Sequence, residues 1–333
     1  MKNTVRQDTP ALAFDNVKKI YMQWQRSGKF RDIAKNLLHP EKREAVALGG
    51  VTFSVKQGEF VAYAGPNGAG KSTTVKILSG ILRPTSGSVS VLGMDPARDR
   101  IRLMENIGVL FGQRTELWWD LPVVTSYEWK KSVWNIPDET YWHNLDMAAE
   151  LLDLKDILNT FARELSLGQR MRADLGMLLL HSPKVLFLDE PTLGLDVLAK
   201  RQMIHFLKKL NAENGTTIVV TSHDMDDLEE MARRIILLSK GKIAFDGSFE
   251  KLRKVRGALS RIRVTLGGDA PELPGLTLLS SRGGVHEYEF DGEKTEIREI
   301  LAMLSRLPGV TDMEIKKAPI EQVISNLYLE WKH

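Results

Sequence analysis

One eight-residue stretch constrains this chain more than any other: Gly65-Pro66-Asn67-Gly68-Ala69-Gly70-Lys71-Ser72. It matches the pattern G-x-x-x-x-G-K-[ST], and residues 60–64 before it predict a buried strand, while residues 73–78 after it predict a helix. Glycines allow backbone N–H groups to close around a polyphosphate, and a helix that begins there directs the positive end of its dipole at the same anion. The sequence therefore predicts a phosphate-binding loop for a nucleoside triphosphate.

The residue types in this loop indicate two ligands, a nucleoside triphosphate and Mg²⁺. The Lys71 ammonium is expected to lie on the β- and γ-phosphates, and the Ser72 hydroxyl is expected to bind Mg²⁺. The other residues predicted to contact the nucleotide from this stretch are Gly65, Asn67, Gly68, Gly70 and Thr73.

Composition narrows the class of protein. The chain has 333 residues, of which 43% are hydrophobic and 27% are charged, as in ordinary globular proteins, and this length accommodates one large domain and a small one. The net charge of +3 is too small to indicate nucleic acid as a partner, and the absence of cysteine excludes disulfides and thiolate metal sites. No apolar run approaches the roughly 18 residues of a membrane span, and no signal peptide is expected, so any role at a membrane would need a partner or a surface contact.

The region before the loop predicts an edge strand at residues 11–14 and an aromatic, Tyr21, that could stack on a base. Residues 22–44 are interpreted as a basic helical insertion, because five apolar residues fall on one helical face: Phe30, Ile33, Ala34, Leu37 and Leu38. Such a helix could lie on an anionic membrane, bind a partner's groove, or pack on its own domain with a solvated basic face.

The remaining pattern predicts an α/β fold with a second, smaller domain. Strands alternate with helices up to residue 247, and residues 115–182 are interpreted as a helical subdomain inserted in the sheet domain. Five of the seven tryptophans lie in this insertion, mostly as core residues, although some could line a groove for a partner helix. Residues 248–333 predict a small α+β domain without a catalytic constellation.

A second constellation follows about 120 residues after the loop. Residues 185–188 are apolar, as in a central parallel strand, and Asp189 and Glu190 follow where ligands bind in open α/β sheets. Asp189 could hold Mg²⁺ through water opposite Ser72, and Glu190 could act as a general base on the attacking water. Without the phosphate loop, the pair could equally be two exposed acids after a strand.

Across residues 11–247 the chain resembles the nucleotide-binding subunit of an ATP-binding cassette (ABC) transporter. The resemblance depends on motifs in the order of that family: Gly65 to Ser72, Gln113, Leu165-Ser166-Leu167-Gly168-Gln169, Leu188-Asp189-Glu190-Pro191, Gly194-Leu195-Asp196 and His223. It implies a phosphate-loop nucleotidase fold with a mixed, mainly parallel central sheet, an antiparallel β-region at its edge and an inserted helical subdomain.

The resemblance also implies roles for single residues within one subunit. Tyr21 would stack on adenine, and Gln113 would contact Mg²⁺ or the attacking water and report to the membrane partner. His223 would contact the γ-phosphate and fix the closed geometry. Together with Glu190, these residues would form the catalytic set, and Ser72, Gln113 and Asp189 would form the metal site.

Other residues would act across a dimer. Ser166, Gly168 and Gln169 would cap the γ-phosphate of the ATP bound by a second copy, and Asp196 would lie at the interface between the copies. Leu167 departs from the family, which usually has glycine at this position. Two ATPs would thus be buried between head-to-tail subunits, so that closure pulls on a membrane permease and hydrolysis releases it.

Details of the chain favour one branch of the family. The single cassette without membrane helices implies a separate permease. The 22–44 insertion, Leu167, the stretch from Gln113 to Pro122 and the small C-terminal domain together resemble exporters of drugs or antibiotics, including a subgroup assigned to viologen-type cations. The expected partners are separate permease chains and a second copy, not nucleic acid, at the cytoplasmic face of the inner membrane. An importer ATPase, or a soluble ABC protein that acts on ribosomes or DNA, is the alternative.

Overall fold

The computed structural model describes residues 10–24, 42–112, 114–255, 259–292, 294–317 and 320–330. The chain divides into two compact units, Met1–Asp246 and Gly247–His333. The predicted helical face from Phe30 to Leu38 and the predicted site residue Gln113 lie outside the described residues.

The first unit contains β-strands and α-helices in alternation. Its elements are β1 (Leu12–Trp24), β2 (Lys42–Val55), β3 (Phe60–Ala64), α1 (Lys71–Leu78), β4 (Ser86–Val91), α2 (Arg100–Met104), β5 (Ile107–Phe111), α3 (Val123–Val133), α4 (Asp138–Leu151), α5 (Leu167–Leu179), β6 (Val185–Asp189), α6 (Val197–Asn214), β7 (Thr217–Thr221), α7 (Met225–Met231), β8 (Arg234–Ser239) and β9 (Lys242–Ser248). The sheet strands and helices predicted around the phosphate loop are all confirmed.

A mainly parallel sheet forms the centre of this unit. Within the described residues it has six strands in the order β5-β6-β7-β3-β8-β9. The pairs β5–β6, β6–β7, β7–β3 and β3–β8 are parallel, and their apolar residues are almost completely buried. The register pairs Asp189 with Thr221, so that β6 and β7 end side by side. The carboxyl ends of these strands, with the loop after β3, therefore meet at one edge of the sheet.

An antiparallel sheet of three described strands, in the order β2-β1-β4, is separate from the parallel sheet in its strand pairing but shares a hydrophobic core with it. Here two predictions were wrong. The strand predicted at an edge is the central one, and residues 18–24, interpreted as a turn and the start of a helical insertion, continue β1. The insertion's other end, residues 42–44, belongs to β2. Cross-strand pairing along the β1–β2 ribbon overrides the local pattern, because each strand supplies the other's backbone hydrogen bonds.

The helical subdomain consists of α3, α4 and α5. Pro122 and Pro137 immediately precede α3 and α4, where the missing N–H costs no intrahelical hydrogen bond. The aromatic content is split between core and surface: Tyr127 and Tyr141 are buried, whereas four tryptophans are 41–53% exposed, namely Trp118, Trp119, Trp129 and Trp142. The prediction that most aromatics in this region are core residues is therefore wrong for the tryptophans.

The second unit is a small α+β fold, as the sequence predicted. Its elements are α8 (Phe249–Lys254), β10 (Leu259–Leu266), β11 (Leu276–Arg282), β12 (Val285–Asp291), α9 (Ile297–Leu304), β13 (Val310–Lys317) and α10 (Ile320–Glu330). The described strands form an antiparallel sheet in the order β11-β12-β10-β13. No helix in the described parts of the chain is long and apolar enough to cross a membrane.

Candidate functional site

Two glycines of the loop between β3 and α1 lie so close to the backbone of neighbouring strands that no side chain fits there. Gly70 has a φ of 112°, and a side chain there would lie 2.8 Å from the Ala47 carbonyl oxygen. At Gly65, a side chain would lie 2.6 Å from the Leu238 carbonyl oxygen. Only glycine fits these two positions without moving backbone of the neighbouring strands. The loop is thus held in shape by the sheet around it.

Lys71 lies at the start of α1, and its side chain turns back over the loop. Its Nζ donates hydrogen bonds to the carbonyl oxygens of Gly65, at 2.6 Å, and Pro66, at 3.4 Å. The residue is only 7% exposed, and this burial lowers the pKa of the ammonium, while Glu190 and Asp189 oppose the shift. A buried cation at a helix N-terminus is a binding group for an anion such as a polyphosphate.

Asp189 ends β6 next to the loop and makes two side-chain hydrogen bonds. The Ser72 hydroxyl donates to its Oδ2 at 3.1 Å, and the Thr221 hydroxyl donates to its Oδ1. A hydroxyl and a carboxylate at this separation are the hard oxygen ligands that Mg²⁺ takes beside a nucleotide. The donor set therefore fits the predicted metal, with Ser72 and Asp189 as the residues that would hold it.

Glu190 is fixed by its backbone and by His223. Its φ of 59° lies in the left-handed region, which costs a non-glycine residue roughly 1 kcal/mol, and its N–H donates to the Thr221 carbonyl oxygen at 3.0 Å. Its carboxylate Oε1 lies 2.7 Å from His223 Nε2. The structure thus brings together the predicted base and the predicted histidine beside Lys71 and Asp189.

The β1–β2 ribbon carries Tyr21 towards the same loop. Tyr21 pairs with Ala45, two residues before Ala47, whose carbonyl oxygen lies against Gly70. The Tyr21 ring is partly exposed, with Lys19 Nζ 5.3 Å from its centroid. Its stacking on adenine stays a prediction.

The predicted dimer residues lie in two other segments. Ser166 caps α5 in a capping box: Gln169 N–H donates to Ser166 Oγ at 3.2 Å, and Ser166 N–H donates to Gln169 Oε1 at 2.9 Å. Asp196 caps α6 by accepting from the Ala199 N–H at 2.8 Å. Among the described residues, no hydrogen bond joins these caps to the phosphate loop, so their predicted nucleotide contacts would need a second copy.

Two functional candidates were missed by the sequence analysis. Thr221 binds both Asp189 and the Glu190 N–H. Its position at the end of a predicted strand is the only signal that the sequence carries. Asp174 lies on α5 and is 5% exposed. Its Oδ1 accepts from the Thr115 hydroxyl at 2.8 Å and from the Glu116 N–H at 3.0 Å, which ties the segment after Gln113 to the helix that Ser166 caps.

Asp174 predicts an unusual pH dependence of stability. Burial raises the pKa of its carboxyl from 3.8 to about 6, despite the hydrogen bonds from Thr115 and Glu116 that lower it. A folded-state pKa above the unfolded one means that this group's stabilisation is complete at low pH and is lost as pH rises through about 6. We expect wild type to gain roughly 1–2 kcal/mol relative to Asp174→Asn between pH 7 and pH 5, measured as the difference in free energy of urea unfolding.

The stability of wild type must be compared with that of Asp174→Asn, because the titration of His181 changes stability with pH in the opposite direction to that of Asp174. Burial lowers the pKa of His181 to about 4, so its contribution is lost as pH falls through the same window. Asparagine keeps an oxygen that accepts from Thr115 and Glu116 but does not titrate. A stability difference between the two proteins that is constant with pH would show that Asp174 does not titrate in this range.

Comparison with known proteins agrees with this geometry. The family model described as "ABC transporter" matches residues 48–193. The chain is 31% identical over 252 residues to the energy-coupling factor transporter ATP-binding protein EcfA of Methanoculleus marisnigri, a match that covers 75% of this chain and 90% of that protein. It is 36% identical over 203 residues to the probable multidrug ABC transporter ATP-binding protein YbhF of Escherichia coli, a match that covers 61% of this chain and 35% of YbhF.

A solved structure shows the same fold. The dimeric ATP-binding cassette MJ0796, bound to ADP and Pi in a post-hydrolysis state, superimposes with a TM-score of 0.59 at 26% identity, over 71% of this chain and 98% of that one. The loop, the two acidic residues and the histidine thus lie in the fold that the resemblance implied. The chain belongs to the ATP-binding subunits of ABC transporters, and its first unit is an ATPase cassette.

Proposed function

We propose that this chain is the ATPase subunit of an ABC exporter and powers a separate membrane permease through ATP-driven closure of a homodimer. The observation that supports hydrolysis most directly is the convergence of Lys71, Asp189, Glu190 and His223 at one edge of the sheet. The remaining features concern the second copy, the permease and the direction of transport.

The residues of this edge have separate tasks in hydrolysis. Lys71 and the loop N–H groups would hold the β- and γ-phosphates, while Ser72 and Asp189 would hold Mg²⁺, which would supply charge neutralisation. Glu190 accepts a proton from the attacking water as that water adds to the γ-phosphorus, while the bond to the β–γ bridging oxygen breaks and ADP leaves with that electron pair. His223, at 2.7 Å from the Glu190 carboxylate, orients this base and faces the developing charge. Gln113 would add a contact to Mg²⁺ or the water.

A second copy is proposed to complete the site. Exposed apolar side chains surround Asp196: Leu193 is 41% exposed, Val197 is 70% exposed and Leu198 is 68% exposed. Such a cluster next to a helix N-terminus favours a protein interface. In a head-to-tail pair, Ser166, Gly168 and Gln169 would meet the nucleotide on the other copy's loop.

The permease is proposed to dock beside the segment that follows Gln113. A groove of about 200 Å³ there is lined by apolar residues such as Phe111 and Leu178 and by polar ones that include Glu116 and Lys130. The sequence neighbours of these two residues, Trp118 and Trp129, stack at 5.3 Å between ring centroids and remain 43% and 41% exposed. Exposed aromatics in two segments that contribute to the groove favour a protein interface here, and we assign it to one helix of the membrane partner.

Export is favoured over import by the resemblance to exporters with separate permeases and by the match to YbhF, a probable multidrug transporter protein. Import is the second candidate, because the methionine import ATP-binding protein MetN of Carboxydothermus hydrogenoformans is 32% identical to this chain over 221 residues. A soluble protein that acts on ribosomes or DNA is less favoured, because the net charge of +3 is small for a nucleic-acid partner.

The test is a tagged pull-down from detergent-solubilised native membranes with mass spectrometry. We expect a multi-span permease in near-equal amount to the tagged chain, and a matched Trp118→Ala/Trp129→Ala variant should recover much less of it. Recovery of ribosomal proteins or DNA-associated factors without a permease would overturn the proposal.

Direction requires a second measurement. Inside-out vesicles that contain the recovered complex should accumulate methyl viologen with ATP, and vesicles with a Glu190→Gln chain should not. A permease that instead co-purifies with a substrate-capture subunit, and drives ATP-dependent uptake in right-side-out vesicles, would establish import.

A further inference from the structure

Two leucines in this chain lie over two glycines, and both pairs join the same two segments. The first segment is residues 165–169, which contains Ser166, and the second is residues 194–196, which ends in Asp196. Leu167 Cδ2 occupies the space where a side chain on Gly194 would lie, only 2.5 Å from that Cβ position. Reciprocally, Leu195 Cδ2 lies 3.5 Å from the Cβ position of Gly168.

The first of these pairs is the tighter one. Gly194 has a φ of 74° and no side chain, so the Leu167 methyl group rests directly on its backbone. Leu167 is only partly exposed, although its neighbours Ser166 and Gly194 are both exposed. A glycine at position 167 would leave this contact unmade and would loosen the first turn of α5, since glycine has more backbone freedom than leucine.

The contact between Leu167 and Gly194 lies next to two predicted dimer residues, Ser166 and Asp196. Leu167 directly follows Ser166, and Gly194 stands two residues before Asp196, so the Leu167–Gly194 contact fixes the distance between two helix caps. We propose that Leu167 is a positioning residue that joins the two segments into one rigid surface, presented as a unit to the nucleotide and loop of a second copy. This proposal rests on the proposed homodimer.

The experiment is a rescue between the two positions. Gly194→Ala should place a methyl group against Leu167 and push residues 165–169 away, which we expect to lower ATPase kcat/KM about tenfold or more. Leu167→Gly alone should keep kcat within about tenfold of wild type while it raises the half-saturating ATP concentration about fivefold. The double variant should recover to within about threefold of Leu167→Gly.

A matched control separates the contact from backbone strain. Gly93 has a φ of 77°, is exposed and has no atom within 4 Å of its Cβ position, so Gly93→Ala carries the same strain without the contact. Equal activity of Gly194→Ala and Gly93→Ala, or a double variant no better than Gly194→Ala, would overturn the proposal. The proposal would be supported if Gly194→Ala and Gly93→Ala unfold at the same temperature while Gly194→Ala has the lower kcat/KM.

A second variant keeps the test decisive if Gly194→Ala does not fold. Leu167→Met retains a flexible apolar side chain over Gly194 and should match wild type in half-saturating ATP, unlike Leu167→Gly. The same half-saturating ATP concentration for wild type, Leu167→Met and Leu167→Gly would contradict the positioning role. The homodimer itself is tested separately, by ATP-dependent dimerisation of a Glu190→Gln chain, so failure of one hypothesis is distinguishable from failure of the other.

Discussion

Replacing Glu190 with glutamine is expected to lower the steady-state ATPase rate at least about 100-fold, because a positioned general base contributes roughly 10²–10⁴-fold. Glutamine has nearly the same shape as glutamate, and its Oε1 can still accept a hydrogen bond from His223 Nε2, which lies 2.7 Å from the carboxylate. The backbone bond from residue 190 to Thr221 does not depend on the side chain. The variant therefore loses the negative charge and the basicity but keeps the geometry.

Phosphate release at saturating ATP is the measurement, and binding of a fluorescent ATP analogue is its companion. Nucleotide affinity should stay within about threefold of wild type, since Lys71 and the loop are untouched. Glu213→Gln, an exposed residue near the end of α6, is the matched control and should hydrolyse ATP normally. A Glu190→Gln protein with more than about a tenth of the wild-type rate would mean that another group activates the water.

This variant should also trap the dimer. If two copies close around ATP and open on hydrolysis, a chain that binds but does not hydrolyse ATP accumulates in the closed state. We expect light scattering to report twice the monomer mass with ATP and the monomer mass without it. Monomers at saturating ATP would contradict the proposed homodimer, whatever the hydrolysis rate.

The sequence was sufficient for those parts of the site that one segment specifies alone. The phosphate loop needs glycines at fixed spacing, and β6 is a continuous apolar run, so both could be predicted from residue order. The β1–β2 ribbon could not, because its strands are separated by residues 25–41 and become strands only by pairing with each other. Local propensity at residues 18–24 therefore gave a turn and a helix where the chain has a strand.

The same reason explains which site residues were missed. Thr221 matters because the register of two parallel strands sets it beside Asp189, and no local pattern reports a register. Asp174 lies on a helix face like many acids, and only tertiary packing buries it against Thr115. Leu167 was visible in the sequence as a departure from the family, but its partner Gly194 was not, since 26 residues separate the members of the contact.

Replacing Lys71 with methionine is expected to weaken ATP binding about 10- to 100-fold, because a charge-assisted hydrogen bond is worth roughly 1.5–3 kcal/mol. Hydrolysis should fall further, since negative charge on the γ-phosphate oxygens is stabilised by the same ammonium. Methionine is apolar and close to lysine in length, so it can fill the space of Lys71, which is only 7% exposed. It removes a cation whose pKa burial already lowers, so the free energy of unfolding should change little.

Isothermal titration with ATP and thermal unfolding together make this test specific. Lys76→Ala, an exposed lysine on the same helix, is the matched control and should bind ATP like wild type. Unchanged ATP affinity in Lys71→Met would show that the ammonium serves only the loop carbonyls of Gly65 and Pro66. At an ATP concentration that saturates Glu190→Gln but lies below the dissociation constant of Lys71→Met, only Glu190→Gln should dimerise. A dimer formed by both variants would mean that closure does not depend on bound nucleotide.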